Sequence, residues 1–143
     1  MTEFSKSEKE IYNLRKEKVG KLKDSELDSF PTNFKNATFI KDIKAKHQSL
    51  EDGDQTDINV HVRGRILSIR SFGKLTFIDV KDGTGKIQLL VAKDDLQESI
   101  QQYIELLDVG DLIGTQGNVM KTKKGELSLK ISELILLSKS FIS

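Results

Sequence analysis

Two short stretches, 75–80 and 87–91, bring together the side chains best suited to molecular recognition. Apolar residues alternate with others in both stretches, which predicts two strands that each bury one face and leave the other free. Phe77, Lys86 and Gln88 fall on the free faces. An aromatic ring stacks on planar groups, and an amide offers both a hydrogen-bond donor and an acceptor. The pattern therefore predicts a binding surface on this pair of strands.

Groups that would support catalysis are scarce in the same sequence. The absence of cysteine excludes disulfides, thiolate metal sites and cysteine nucleophiles. The two histidines are His47, on a predicted helix, and His61, on a predicted strand, and we interpret both as structural. We find no Ser/His/Asp set, no glycine-rich phosphate loop and no metal-ligand cluster. We therefore expect no catalytic residue, no metal site and no cofactor in this chain.

Charge is unevenly distributed, although the net charge of the chain is only +1. Residues 61–92 carry six Lys or Arg against two Asp, a balance of +4, whereas residues 93–111 carry one Lys against six acids, a balance of −5. Residues 112–143 return to +3, with five Lys against two Glu. Basic strands on either side of an acidic helix favour one face that suits a polyanion. An accidental pattern on a solvated surface is the alternative.

The remaining elements follow from hydrophobic spacing and turn residues. The sequence predicts a basic helix over 1–24, a short helix over 38–47, a first strand over 58–70, the two strands above, a helix capped by Asp94 or Asp95 that carries Leu96 to Leu107, and further strands over 112–121 and 126–137. Gly64 predicts a bulge in the first strand. The segment 81–85 predicts a hairpin turn whose glycines adopt positive φ.

Three strands, a helix and two strands in this order are typical of the OB-fold, a five-stranded Greek-key barrel that binds oligonucleotides or oligosaccharides on strands two and three. We therefore predict a mainly β chain with a helix between strands three and four. At 143 residues it has room for one such domain and an appendage. We assign residues 1–55 to an N-terminal helical extension and connecting segment, and residues 56–143 to the barrel.

Apolar runs reach only about four residues, as in 134–137, so the sequence predicts no membrane span. The N-terminus leads into a charged helix without the apolar segment of a secretory signal. We therefore expect a cytoplasmic protein.

Three segments resemble a known family: GRILSIRSFGKLTFIDVKDGTGKIQLLV, LDVGDLIGTQGNV and KTKKGELSLKISELILLSKS. They are similar to the N-terminal anticodon-binding domain of class II lysyl-tRNA synthetases, and FPTNFKNATFIKDIKAKH is similar to the helical lead-in of those enzymes. The Gly-Glu-Leu-Ser and Ser-Glu-Leu-x-Leu-Leu patterns favour the lysyl enzymes over their aspartyl and asparaginyl relatives.

The resemblance implies roles for individual residues. Phe77 matches the aromatic residue that stacks on an anticodon base, and Gln88 matches the residue that contacts the central uridine. Arg70 and Glu126 match further residues that contact the anticodon. Contact with the RNA backbone is implied for a set of basic residues: Arg63, Arg65, Lys74, Lys86, Lys121, Lys123 and Lys124.

Structural alternatives to these roles stay open. Phe77 could be a residue at the rim of the core, Gln88 a solvated strand position, and Glu126 a partner for Lys124. A ring that stacks and polar groups that distinguish base edges are, however, the means by which single-stranded RNA loops are read.

The resemblance also implies partners and limits. The family's catalytic domain lies downstream of this segment, so ATP and Mg²⁺ are expected only there, and the full-length enzyme is expected to be a homodimeric, ATP-dependent lysine–tRNA ligase. This chain would be its binding module for the anticodon stem-loop of lysine tRNA. The alternatives are a general OB module for single strands, the equivalent domain of an aspartyl- or asparaginyl-tRNA synthetase, and a domain for contact with a partner subunit.

Overall fold

The computed structural model of the chain describes residues 37–140. Its elements are helix α1 (Ile40–Lys46), strands β1 (Gln55–Phe72), β2 (Leu75–Lys81) and β3 (Lys86–Ala92), a 3-10 turn (Lys93–Asp95), helix α2 (Glu98–Ile104), and strands β4 (Leu112–Lys121) and β5 (Leu127–Ser138). The five predicted strands and the helix between strands three and four are confirmed. The helix predicted over 1–24 lies outside the described residues.

The strands close into a barrel in the order β1-β2-β3-β5-β4, with β1 also paired to β4. Strand β1 spans 18 residues and serves two neighbours, because residues 65–72 pair with β2 and residues 59–65 pair with β4. Strands β3 and β5 run parallel over three residue pairs, which begin with Gln88 and Ser128. The other pairings are antiparallel. This arrangement is the predicted OB-fold barrel.

A bulge lies in β1 at Leu67, and the predicted bulge at Gly64 is wrong. Ile66 and Ser68 face consecutive residues of β2, which leaves Leu67 between them as the extra residue. The extra residue reverses the inward and outward alternation of β1. Arg70 is therefore on the side of β1 that faces away from the core, opposite Phe77 of β2.

Gly64 is explained by close packing. A β-carbon at this position would lie 2.8 Å from the carbonyl oxygen of Lys81, so the backbone of β2 leaves no room for a side chain. The glycine marks the point at which β1 passes from one neighbouring strand to the other.

The turn between β2 and β3 is held by a carboxylate, and the prediction of positive-φ glycines there is wrong. Within residues 37–140, neither Gly83 nor Gly85 has a positive φ. The glycines that do are Gly53, Gly73, Gly110 and Gly125. Instead, Asp82 Oδ1 accepts hydrogen bonds from the Thr84 amide at 2.7 Å, the Thr84 hydroxyl at 2.6 Å and the Gly85 amide at 3.1 Å.

The same carboxylate also reaches α1. Asp82 Oδ2 accepts a hydrogen bond of 2.9 Å from the Ile40 amide at the start of that helix. Partial burial of the carboxylate raises its pKa, but the hydrogen bonds from Thr84, Ile40 and Gly85 outweigh burial, so the pKa lies below its ordinary value. Asp82 thus joins the lead-in helix to the β2–β3 hairpin.

Helix α2 begins later than the sequence predicted, and neither Asp94 nor Asp95 caps it. Its N-cap is Gln97, which makes no side-chain capping hydrogen bond. The two aspartates lie in the 3-10 turn and form ion pairs of 3.0 Å, one with Lys74 and the other with Lys130. They therefore link the turn to neighbouring strands.

The barrel interior holds one apolar core. Its fully buried residues of largest volume are Ile40, Ile43, Ile66, Ile78, Ile87, Leu89, Ile113, Leu129, Ile135, Val62, Val80 and Val91. Helix α1 contributes two of them, although it lies within the predicted N-terminal extension. The division of the chain at residue 55 stays a prediction. No helix within residues 37–140 is long and apolar enough to cross a membrane.

Candidate nucleic-acid interface

The outer side of β1, β2 and β3 carries a group of polar and aromatic side chains: Arg70, Phe77, Asp79 and Gln88. We call these four residues the outer face. Strand register brings them together, because Arg70 is opposite Phe77 and Asp79 is opposite Gln88. Ile78, between Phe77 and Asp79, is fully buried, as the predicted alternation requires. The prediction that Phe77 and Gln88 share one side of the sheet is therefore confirmed, but the prediction that Gln88 is free there is wrong, because the residue is buried against Arg70 and Ser128.

Gln88 is held at both ends of its amide. Its Oε1 accepts a hydrogen bond of 3.1 Å from Arg70 Nη2, and its Nε2 donates one of 2.9 Å to Ser128 Oγ. Because a guanidinium only donates, the amide oxygen must face Arg70 and the amide nitrogen must face β5. The residue is 8% exposed. It therefore presents donor and acceptor positions in a fixed orientation.

Phe77 is half-buried, with its ring beside a second aromatic ring and a cation. The ring of Phe72 lies edge-on to it, with centroids 6.0 Å apart and planes at 67°. The guanidinium carbon of Arg70 lies 5.9 Å from its centroid, within cation–π range. A half-buried ring beside a guanidinium is suited to stacking on a nucleobase.

Asp79 moderates the charge of this surface. Its carboxylate accepts a hydrogen bond of 3.0 Å from Ser68 Oγ and lies 3.4 Å from Arg70 Nη2. The ion pair is partly exposed, so it adds little stability, but it orients the guanidinium. The alternation of inward and outward side chains along β2 is sufficient to place Asp79 on the outer side. Its contact with Arg70 depends on the bulge at Leu67, which no residue type in the sequence predicts.

Glu126 lies in the turn between β4 and β5 and is exposed. Its carbonyl oxygen accepts a hydrogen bond of 3.2 Å from Ser128 Oγ, which also receives the amide of Gln88. The turn is therefore connected to the outer face through Ser128, a residue that no sequence pattern singles out. Among the ion pairs formed within residues 37–140, none includes the Glu126 carboxylate, with Lys124 or any other cation.

The predicted basic residues fall into different environments. Lys74, at the tip of the β1–β2 hairpin, forms its exposed ion pair with Asp94, and Lys123 and Lys124 are exposed beside Glu126. Lys121 Nζ is engaged, because it donates to the Leu50 carbonyl oxygen at 3.2 Å.

The other three lie on β1 and β3. Arg63 and Arg65 precede the bulge of β1, in the part that pairs with β4, and Arg65 donates to the Gly110 carbonyl oxygen at 3.0 Å. Lys86 is exposed at the first position of β3. The structure thus gathers Arg70, Phe77 and Gln88 directly and leaves these cations at the margins.

A cleft of about 330 Å³ lies beside the β4–β5 turn, between that turn and α1. Its lining residues are Lys44, His47, Gln48, Lys121, Gly125, Glu126 and Leu127. His47 is 8% exposed, and burial, together with the nearby charge of Lys46, lowers the pKa of its imidazole. Within residues 37–140, no group of three or more His, Asp or Glu side chains is arranged to hold a metal ion.

Comparison with known proteins gives two findings. A family described as an OB-fold nucleic acid binding domain, with the family name tRNA anti-codon, matches residues 60–137. Individual relatives include the lysine–tRNA ligase of Trichormus variabilis, 35% identical over 95% of this chain, and that of Photorhabdus laumondii, 38% identical over 88% of it. The lysine–tRNA ligase of Pediococcus pentosaceus is 36% identical over 89%. The alignments cover 26%, 25% and 26% of these relatives, so the chain spans about a quarter of their length.

Proposed function

Because the chain belongs to the tRNA anti-codon family of OB-fold nucleic acid binding domains, we propose that it binds the anticodon loop of lysine tRNA. The observation that carries the proposal is the outer face, where Arg70 contacts both the Phe77 ring and the Gln88 amide, which Ser128 holds at its other end. A ring stacks on any base, whereas a fixed amide distinguishes base edges.

In this proposal, a central uridine stacks on Phe77 and pairs its edge with Gln88. The amide has one N–H and one acceptor lone pair beyond its bonds to Arg70 and Ser128. A uracil edge offers the complementary acceptor and donor side by side. Arg70 has two parts in binding, since it orients Gln88 and presents its remaining N–H groups to the RNA.

Glu126 is proposed to read a neighbouring base. A carboxylate accepts hydrogen bonds only, so it selects a base edge that carries an N–H group and disfavours one that presents a lone pair. Its exposed position beside Lys123 and Lys124 suits this role, because those cations would hold the adjoining phosphates. Arg63, Arg65, Lys74, Lys86 and Lys121 are proposed as weaker contacts with the backbone.

The wider context is proposed from the relatives. We propose that the chain serves within a cytoplasmic, homodimeric class II lysine–tRNA ligase, whose ATP- and Mg²⁺-dependent chemistry takes place outside the segment matched here. In that setting, the OB-fold domain would select the tRNA, and other parts of the enzyme would join lysine to it.

Titration of the 143-residue chain with RNA stem-loops tests the proposal. We expect tighter binding to a stem-loop with consecutive uridines at the anticodon position than to one of the same composition with a scrambled loop. Equal affinity would indicate a general OB module for single strands. Tighter binding to the loop of aspartate or asparagine tRNA would assign the chain to those relatives. No RNA binding by a chain that dimerises in solution would favour a subunit-contact domain.

A further inference from the structure

Phe72, the last residue of β1, is a large apolar side chain that the barrel does not use. It is 64% exposed, the highest value among the exposed large hydrophobic residues within residues 37–140. Its cross-strand partner at the hairpin tip, Leu75, is 40% exposed. Core packing does not explain an aromatic residue at this position, because most of its ring remains in contact with water.

The position of Phe72 is continuous with the outer face. Alternation along β1 places Phe72 on the same side as Arg70, and its ring meets that of Phe77 edge-on. The two planes are inclined at 67°, so a single flat base cannot stack on both rings. The rings therefore present two separate stacking surfaces, which adjoin where the two rings meet.

The hairpin tip adds charge next to the second surface. Gly73, with φ of 60°, makes the tight turn, and Lys74 follows it. The ion pair of Lys74 with Asp94 is exposed on both sides, so a phosphate can replace the carboxylate at little cost. An exposed ring beside an available cation fits a nucleotide better than it fits an apolar protein segment.

We propose that Phe72 forms a second base-stacking site, which holds the loop nucleotide next to the one stacked on Phe77. This inference rests on the proposed function. It adds a residue that determines how many loop bases the chain binds in separate stacking sites. Bases splayed out of a loop can occupy two inclined surfaces in succession, as single-stranded RNA recognition requires. Lys74 would contact the phosphate of the same nucleotide.

The test uses the 143-residue chain and a stem-loop with consecutive uridines, in which each loop nucleotide is replaced in turn by an abasic ribose. Dissociation constants are measured for the parent chain, F72A, F72Y, F77A and F39A. Phe39 is the matched control, because it is 57% exposed and lies next to the Asp82 end of the β2–β3 hairpin, remote from Phe72. Thermal melts check that each variant is folded.

We expect F72A to weaken binding to the intact loop by roughly tenfold, within the range for alanine substitution of a stacking aromatic residue. The loss should vanish on the one abasic loop that lacks the base held by Phe72. F77A should instead lose its effect on the loop whose abasic ribose replaces the adjacent nucleotide, the one held by Phe77. F72Y, which keeps the ring, and F39A should bind like the parent.

Two outcomes would overturn the inference while the proposed function stands: F72A binds like the parent although F77A does not, or F72A weakens every abasic loop equally. A parent chain that shows no preference for the uridine loop would reject the proposed function itself. The two failures are therefore distinguishable.

Discussion

The Arg70 guanidinium and the Gln88 amide oxygen lie 3.1 Å apart across the intervening strand β2. Ser128 holds the other end of the same amide, so the orientation of Gln88 is set before any ligand arrives. A pre-oriented amide loses little freedom on binding and can discriminate between base edges.

Replacement of Gln88 by alanine should reduce discrimination more than affinity. We expect the parent chain to favour the uridine loop over a loop with its central uridine replaced, and Gln88→Ala to lose about 1 kcal/mol of that difference, several-fold in dissociation constant. Titrations of both loops measure it. Gln97→Ala, at an exposed glutamine before α2, is the control. A similar loss on both loops would make Gln88 a general contact.

Adjacent residues of β2 should give opposite phenotypes. Ile78 is fully buried, so Ile78→Ala should lower the free energy of unfolding by about 2–5 kcal/mol through lost transfer energy and a cavity. Phe77→Ala should melt nearly like the parent and lose roughly 1–3 kcal/mol of RNA binding. Denaturant melts and loop titrations on both variants measure the two effects. The reverse pair of results would mean that β2 faces the other way.

The network of Asp82 should contribute measurable stability. In Asp82→Asn, a neutral amide replaces the carboxylate that accepts several hydrogen bonds. The asparagine amide nitrogen cannot accept a hydrogen bond, so the donors at one of the two oxygen positions lose their acceptor. We expect a loss of about 2 kcal/mol in the free energy of unfolding. Asp57→Asn, at an exposed aspartate of β1, should be silent.

The pH dependence of the Asp82 contribution follows from its lowered pKa. The contribution should be fully present above the ordinary pKa of 3.8 and disappear as pH falls through the folded-state pKa. Denaturant melts across the acid range measure it. Equal acid sensitivity in the parent and in Asp82→Asn would contradict this assignment.

His47 should make the chain less stable in mild acid. Its pKa is lowered in the folded state, so the unfolded chain binds its proton more readily, and the free energy of unfolding should fall as pH drops below the ordinary value of 6.5. The penalty should be complete once pH passes below the folded-state pKa. His47→Phe keeps an aromatic side chain at this buried position and should remove that part of the pH dependence. Urea melts at successive pH values would show whether the parent and the variant differ in slope.

Salt should weaken RNA binding through a small number of phosphate contacts. Each contact contributes roughly −0.7 to the slope of log affinity against log salt for single strands. Removal of the exposed cation in Lys124→Ala should make the slope shallower by about that amount. Lys41→Ala removes an exposed cation beside the β2–β3 turn and should leave the slope unchanged. An affinity independent of salt would exclude the lysines of the β4–β5 turn as contacts.

Local pattern was sufficient to predict the β2–β3 hairpin and its two faces. A short connection between strands fixes register, so alternation around Ile78 and Ile87 placed Phe77 and Gln88 correctly. The strand order then led to the barrel. The hairpin and its two faces are features that neighbouring residues determine among themselves.

The rest of the site depends on contacts between distant residues. The bond between Gln88 and Ser128 joins positions 40 apart through the parallel pairing of β3 with β5, which no local pattern encodes. The outward direction of Arg70 requires an extra residue at Leu67, where no glycine or proline marks a bulge. The sequence predicts Asp82 only as part of a glycine turn, since its helix partner Ile40 lies 42 residues earlier.

The short parallel pairing of β3 with β5 has a thermodynamic consequence for any ligand of Gln88. This pairing closes the barrel with only three residue pairs, and Gln88 with Ser128 is the first of them. If a nucleotide binds only when Ser128 holds Gln88, then binding stabilises the closed barrel. Closure of the barrel in turn strengthens nucleotide binding, and the two effects are equal in free energy. Recognition of the loop and completion of the fold are then reciprocal events, linked through one residue pair.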